Sequence, residues 1–280
     1  MIKKSIAVFF VLFLLHVTVV AMFPNVGEAT SGYSINVVRA QHFYYDTESD
    51  YAVLGTSLAG MINEDSIPSI SLIAFGACTV EDGLRLILAK KTRPSVVFIE
   101  TNLLYKKGDK TFTDKITKGF LPVVRWAVPS LREQYTPVNM LNWFIRSVVL
   151  NGSLKSYSAV INMKILRDNI KRLNKEWIAF PESVFNERRD VIKSLIQEIE
   201  NQGTEIVFFE MPVNKECVNL GIFVQNRNSV NIDFPRSEYT HIDNDTSTYI
   251  TTDGIHLDLE GRERYSHFMK EKVELIIGKR

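Results

Sequence analysis

The chain has 280 residues, 45% of them apolar and 23% charged, with a formal net charge of +1. That length suits one sizeable globular domain with room for an insertion. A near-zero charge supplies no field for nucleic acid or an acidic polymer, and there is no run of like charges or zinc-finger spacing, so nucleic-acid binding is not expected.

The first element stands apart. Met1-Ile-Lys-Lys precedes Ile6 to Phe23, a run without charge that ends at Pro24. Lysines ahead of an apolar stretch mark an exported segment whose start stays in the cytoplasm. The run approaches the roughly 20 residues that span a bilayer. Neither Ala21 nor Ala29 stands in a clean small-x-small cleavage context. Residues 1–23 are therefore read as a retained signal-anchor, the alternative being secretion after cleavage; either way, the domain beyond it sits outside the cytoplasmic membrane. Residues 24–50, polar and aromatic with little periodicity, are read as a linker or stalk.

From Tyr51 strands and helices alternate through a domain spanning 51–280. Tyr51 to Gly55 and Ile70 to Phe75 are apolar strands, the second closed by Gly76. Val80 to Lys91 carries apolar residues at Leu84, Leu86, Ile87 and Leu88, with Glu81 and Asp82 in its first turn, and is read as a helix. Pro94 ends it, and Ser95 to Ile99 is a third strand. Residues 105–180 break the rhythm, first lysine-rich and then rich in tryptophan and aliphatics, and are read as a helical insertion, an ordinary elaboration packed on the domain, with a place near the membrane surface or lining a substrate cleft as the alternatives. Ser183 to Asn201 is an amphipathic helix stopped near Gly203, Ile206 to Phe209 a further strand, and Leu259 to Ile277 the last helix after a loop-rich stretch. Strands apolar on both faces, alternating with helices, predict a doubly wound α/β fold with a parallel sheet. The two cysteines, Cys78 and Cys217, are too few and too far apart to define a disulfide framework.

In such a sheet, functional groups collect at the carboxyl ends of the strands. Ser57, Gly76, the Glu100-Thr101-Asn102 segment and Glu210 all fall there. Asp253 and His256 lie on the turn Thr-Thr-Asp-Gly-Ile-His-Leu before the last helix. The residue types make a chemistry. A serine hydroxyl becomes a nucleophile when a base takes its proton, His256 is such a base, and Asp253 would fix its tautomer. The Ser57 and Gly76 backbone N–H groups and the Asn102 amide are candidate oxyanion donors. Each residue also has a plainer role: Ser57 or Asp253 as a helix cap, Asn102 or Gly76 as a turn residue, Glu210 as a loop carboxylate. Glu210 is carried forward as a substrate contact. His241 with Asp243 and Asp245 is read as a polar loop, and nothing calls for a metal or other cofactor.

Taken together, these blocks resemble the SGNH (GDSL-type) hydrolase superfamily. The matching segments are Gly-Thr-Ser57-Leu, Ala-Phe-Gly76-Ala, Glu-Thr-Asn102-Leu and Asp253-Gly-Ile-His256-Leu, in the family's order. The sequence departs from the family at Thr56, where Gly-Asp-Ser has become Gly-Thr-Ser, and at Glu100 to Leu103, where Gly-x-Asn-Asp has become Glu-Thr-Asn-Leu. Such relaxed blocks are similar to the membrane-anchored branches that modify surface polysaccharides: the alginate O-acetylation proteins and the D-alanyl transfer protein of teichoic acids. The resemblance implies a three-layer, flavodoxin-like α/β fold and acyl-ester chemistry without a cofactor. It implies an acylated glycan or small ester as substrate, and a membrane acyltransferase as a partner. Hydrolysis and transfer both remain open. A second reading is a catalytically silent SGNH-like scaffold or glycan-binding module, motivated by Thr56 and Leu103.

Overall fold

The computed structural model describes residues 2–46, 48–67, 70–76, 78–149, 161, 163–245 and 247–278. The chain divides into two compact units, Met1–Tyr45 with Asp114–Tyr157, and Asp46–Thr113 with Ser158–Arg280.

The elements of the first unit begin with α1 (Ile2–Met22) and α2 (Gly32–Tyr45). In the second, β1 (Tyr51–Gly55) and β2 (Ile70–Ala74) lead to α3 (Val80–Ala89) and β3 (Val96–Glu100). Helix α4 (Lys110–Thr117) carries the chain back to the first unit, which adds α5 (Phe120–Ala127) and α6 (Pro137–Phe144). The second unit resumes with α7 (Met163–Glu176), α8 (Glu182–Glu200), β4 (Glu205–Phe209), α9 (Gly221–Asp233), β5 (Thr240–Ile242) and α10 (Leu259–Ile277).

The five strands form one all-parallel sheet in the order β2-β1-β3-β4-β5. Its core follows from the strand sequences, which carry branched and aromatic residues at nearly every position. Val53, Val96, Phe98, Val207 and Phe209 join a core with Leu166 and Ile170 of α7 and Tyr265, Met269 and Val273 of α10. Their neighbours along each strand point the other way and are also buried: Leu54, Val97, Ile99 and Phe208. On that side Gly83 of α3 sits over Leu54, where an added Cβ would come within 2.5 Å of Leu54 Cδ1. Helix α3 starts where it does because Asp82 accepts from the Thr79 N–H at 2.8 Å and from the Thr79 hydroxyl at 3.0 Å.

The first unit is held by a polar network. Asn139 donates to Glu133 O at 2.7 Å and to Ser34 Oγ at 3.1 Å, and Ser34 Oγ donates to Glu133 Oε1 at 2.9 Å. Gly27, at φ +101°, lies against Gln134 O, 2.1 Å from where a Cβ would stand, so no larger residue fits.

Several expectations change. Part of the expected 24–50 stalk is a helix, α2. Of the expected 105–180 insertion, only 114–157 groups with the N-terminal helices, while α7 belongs with the sheet; residues 150–160 and Asn162 of it lie outside the described residues. The loop-rich stretch before α10 contains α9 and β5. Helix α9 is rich in asparagine and β5 has three residues, so neither carries a periodic signal long enough to read.

Candidate active site

The strand order reverses between β1 and β3, and a doubly wound sheet leaves a crevice outside the carboxyl ends of strands at such a point. Gly55 ends β1 and Glu100 ends β3, so the turns beyond them flank this crevice.

Ser57 is set by the elbow after β1. Glu100 is fully buried, and its Oε2 accepts from Thr56 N–H at 2.7 Å, the Thr56 hydroxyl at 2.9 Å and Ala59 N–H at 3.2 Å. Thr56 Oγ1 in turn accepts from Leu58 N–H at 3.2 Å. The turn closes so tightly that a Cβ on Gly55 would stand 2.3 Å from Ala59 Cβ and 2.7 Å from Glu100 Oε2. Burial pushes the Glu100 carboxyl up, opposed by its bonds from Thr56 and Ala59 and by the charge of nearby His256. Thr56 and Glu100, two of the positions that differ from the pattern the sequence resembles, are thus partners in one interaction. Taken one block at a time the sequence conceals it; the available signal is that Glu100 closes β3 one residue past the Leu54–Ile99 pair, beside the end of β1 that Thr56 follows.

The second half of the site is the Asp253–His256 turn. It is closed by an antiparallel bridge between Thr251 and Leu257 and by Thr252 N–H donating to His256 O at 2.8 Å. Gly254 takes φ +107°, a region that favours glycine, and its carbonyl accepts from Asn214 N–H at 3.0 Å. Asp253 Oδ1 accepts from Ile255 N–H at 3.1 Å and His256 N–H at 2.9 Å, while its Oδ2 accepts from His256 Nδ1–H at 2.7 Å. Burial works against ionisation of Asp253, but the ring and backbone bonds of His256, its charge and the Ile255 N–H outweigh it and hold the carboxyl at about 2. The cap of α10 is Asp258, whose Oδ1 accepts from Gly261 N–H at 2.8 Å, so Asp253 does not serve as one.

The two halves meet. His256 Nε2 lies 2.9 Å from Ser57 Oγ. With Nδ1–H committed to Asp253, Nε2 of the neutral ring is the acceptor and the Ser57 hydroxyl donates. Ser57 caps no helix: the short 3-10 turn Ala59–Met61 begins after Leu58 without a side-chain cap. The His256 side chain keeps 26% of its surface open, so the site is reachable from solvent.

The remaining candidates are placed differently. Gly76 is exposed just beyond β2, whose end pairs with the end of β1 at Gly55 and Ala74. Asn102 is buried and clamps the next strand end: its Nδ2 donates to Met211 O at 2.9 Å and its Oδ1 accepts from Met211 N–H at 2.7 Å. One Nδ2–H remains for another acceptor. Glu210 forms a two-bond ion pair with Arg227, Nη2 to Oε1 at 2.6 Å and Nε to Oε2 at 3.1 Å. It lines two clefts of about 340 and 440 Å³ at the ends of β4 and β5, neither lined by Ser57 or His256. Cys78 and Cys217 are not joined in a disulfide.

Compared with known proteins, the chain matches no family model, and no curated protein matches it at a level that marks relationship.

Proposed function

We propose that the chain is an extracytoplasmic SGNH-type serine esterase or O-acyltransferase acting on acyl esters, O-acetyl in the first instance, of a surface glycan. The observation that carries this reading is the unbroken chain from Ser57 Oγ through His256 to Asp253, at 2.9 and 2.7 Å. The strand order, which is that of flavodoxin-like sheets, and the location of Ser57 beside the strand-order reversal support it.

In the reaction, His256 Nε2 takes the Ser57 proton as Oγ attacks the acyl carbonyl. The Ser57 and Gly76 N–H groups, with the remaining Asn102 Nδ2–H, are the donors for the oxyanion. Collapse breaks the bond to the alcohol oxygen, which receives the proton from His256, and leaves an acyl-serine. Water or a glycan hydroxyl then gives its proton to His256, attacks the acyl-serine and restores Oγ–H. Asp253 holds the ring in the tautomer both halves need. The half-open triad suits an acyl group presented on a large, exposed polymer. Helix α1, of membrane-spanning length and mean hydropathy 2.6, would anchor the chain with the site outside the cytoplasm, where a membrane acyltransferase is the partner for transfer.

The test is labelling of the folded protein with a fluorophosphonate, with Ser57→Ala as control. Modification at Ser57, together with turnover of an aryl acetate that the variant lacks, supports the enzyme. Folded protein that neither labels nor turns over ester is the silent scaffold instead.

A further inference from the structure

We infer that α5, α6 and the turn after them form a platform embedded in the outer leaflet of the bilayer beside α1. The inference rests on the reading of α1 as a retained anchor.

Three observations within the first unit lead there. First, α1 is packed along its outer half alone. Residues 2–12 are all exposed, whereas Phe13, His16, Val17 and Val20, spaced to share one helical face, are covered in part or in full, as is Val19 beside them. Val20 joins Val26 and Tyr135 in a small core, and Tyr135 Oη donates to Pro24 O at 2.8 Å. A signal helix to be discarded has no reason to complete such a core.

Second, the contacts reach below the end of the helix. His16 Nε2–H donates to Ser130 O at 2.9 Å, in the 3-10 turn Pro129–Leu131 that directly follows α5. His16 lies six residues before Met22, the end of α1, which is about 9 Å at 1.5 Å per residue. The 21 residues of α1 make roughly 31 Å, the thickness of a hydrocarbon core. With α1 spanning, the Ser130 turn stands inside the outer leaflet. Its carbonyl also satisfies the polar ring of His16 at a depth where water cannot.

Third, the segments on either side of that turn present the surface a lipid phase requires. On α5, Phe120, Leu121, Val123 and Trp126 are 77%, 60%, 61% and 69% exposed. Along α6 and the π-helical turn Ile145–Val149, the residues Val138, Leu141, Ile145 and Val148 recur at three- and four-residue spacing and are 64%, 58%, 41% and 50% exposed. A water-facing surface rarely gathers so many large apolar side chains. The rest of α6 is occupied within the unit: Met140 and Trp143 pack against the Val20–Val26–Tyr135 core, Asn139 donates to Glu133 O at 2.7 Å, and Asn142 donates to Glu28 O at 3.2 Å. Arg125 and Trp126 stand together in the last turn of α5, the residue types that settle at headgroup level.

The experiment uses the full chain with Trp143→Phe and Trp177→Phe, leaving Trp126 as its single tryptophan. It is reconstituted into phosphatidylglycerol–phosphatidylethanolamine vesicles containing lipids brominated near the carbonyl end or near the methyl end of the acyl chain. The inference expects Trp126 emission to be quenched mainly by the carbonyl-end bromine and to resist aqueous acrylamide. Quenching by acrylamide alone puts the face in water and overturns it. Protection from both quenchers overturns it in favour of a protein partner, a second copy of the chain included. Should the tryptophan variants not fold, a spin label on Val123→Cys in a Cys78→Ser background reads the same depth. Relaxation dominated by oxygen supports the platform, and relaxation dominated by a water-soluble nickel chelate refutes it. Mass spectrometry of the membrane-extracted protein keeps the two readings apart. Loss of residues 1–22 removes the anchor itself, whereas an intact N-terminus with Trp126 in water removes the platform alone.

Discussion

Glu100→Ala is the perturbation that most directly tests how the nucleophile is held. The Glu100 carboxylate is fully buried and receives the N–H groups of Thr56 and Ala59 and the Thr56 hydroxyl, at 2.7, 3.2 and 2.9 Å. Truncation leaves three donors without an acceptor, at about 1–3 kcal/mol each for a buried unsatisfied group. The hydroxyl can rotate and water can enter the space vacated, so the expected loss is about 3–5 kcal/mol, a large share of the roughly 5–15 kcal/mol that holds a domain together. Glu100→Gln keeps one oxygen for the two N–H groups and should cost about 1 kcal/mol. Because burial raises the folded-state Glu100 carboxyl, the native state retains that proton to higher pH than the unfolded chain. The group's contribution is full below the ordinary carboxylate range and is lost as pH rises through the raised value, a slope that Glu100→Gln abolishes. Urea unfolding followed by circular dichroism measures these losses, and aryl acetate kinetics on the Gln variant measure the elbow. Since Ser57 sits between Thr56 and Ala59, kcat should fall while KM holds. A double-mutant cycle with Thr56→Val should give a coupling of about 1 kcal/mol. An alanine variant that unfolds at the wild-type midpoint, or a Gln–Val pair whose effects simply add, refutes the idea that this carboxylate sets the turn.

Two further expectations concern the other half of the site. Asp253→Asn should leave the fold intact and lower kcat by about 10⁴-fold, since the amide favours the wrong tautomer of His256. It should also remove the stability that the wild type holds above the ordinary carboxylate value of 3.8 and loses as pH falls toward about 2; an acid-unfolding profile parallel to wild type refutes this. Gly254→Ala places a Cβ at φ +107°, 3.0 Å from Leu173 Cδ1 and 3.1 Å from Ile170 Cγ1. It should cost about 1–3 kcal/mol and reduce kcat by displacing Asp253 from His256; wild-type thermal stability would show that the turn tolerates it.

The amino-acid sequence by itself determined the elements whose signal is local. Tyr51–Gly55 and Leu259–Ile277 stand at the bounds their patterns indicate, and β2, α3, β3, α8 and β4 depart by a residue or two. Strands apolar along their length require cover on both faces, which is why a parallel sheet was legible. The Asp-Gly-Ile-His turn was legible too, because its bonds span only three residues. What lies far apart in the chain was decided by tertiary structure alone. Ser57 and His256 are 199 positions apart and bond because β1 and the turn before α10 open onto the same edge. Asn102 carries the expectation of an oxyanion donor, and only the fold shows that its amide also clamps Met211 across two strand ends, leaving one N–H over. Glu100 was read as a departure from a pattern; its partner, Thr56, stands 44 residues earlier and becomes its neighbour once β1 and β3 pair. Helix α2 reads as a stalk because its inward side mixes polar residues, Ser34, Asn36 and Gln41, with Val37, Ala40 and Phe43, which blurs the apolar stripe. Its order comes from that burial and from hydrogen bonds with Glu133, 99 positions from Ser34 and 92 from Gln41, which no local periodicity records.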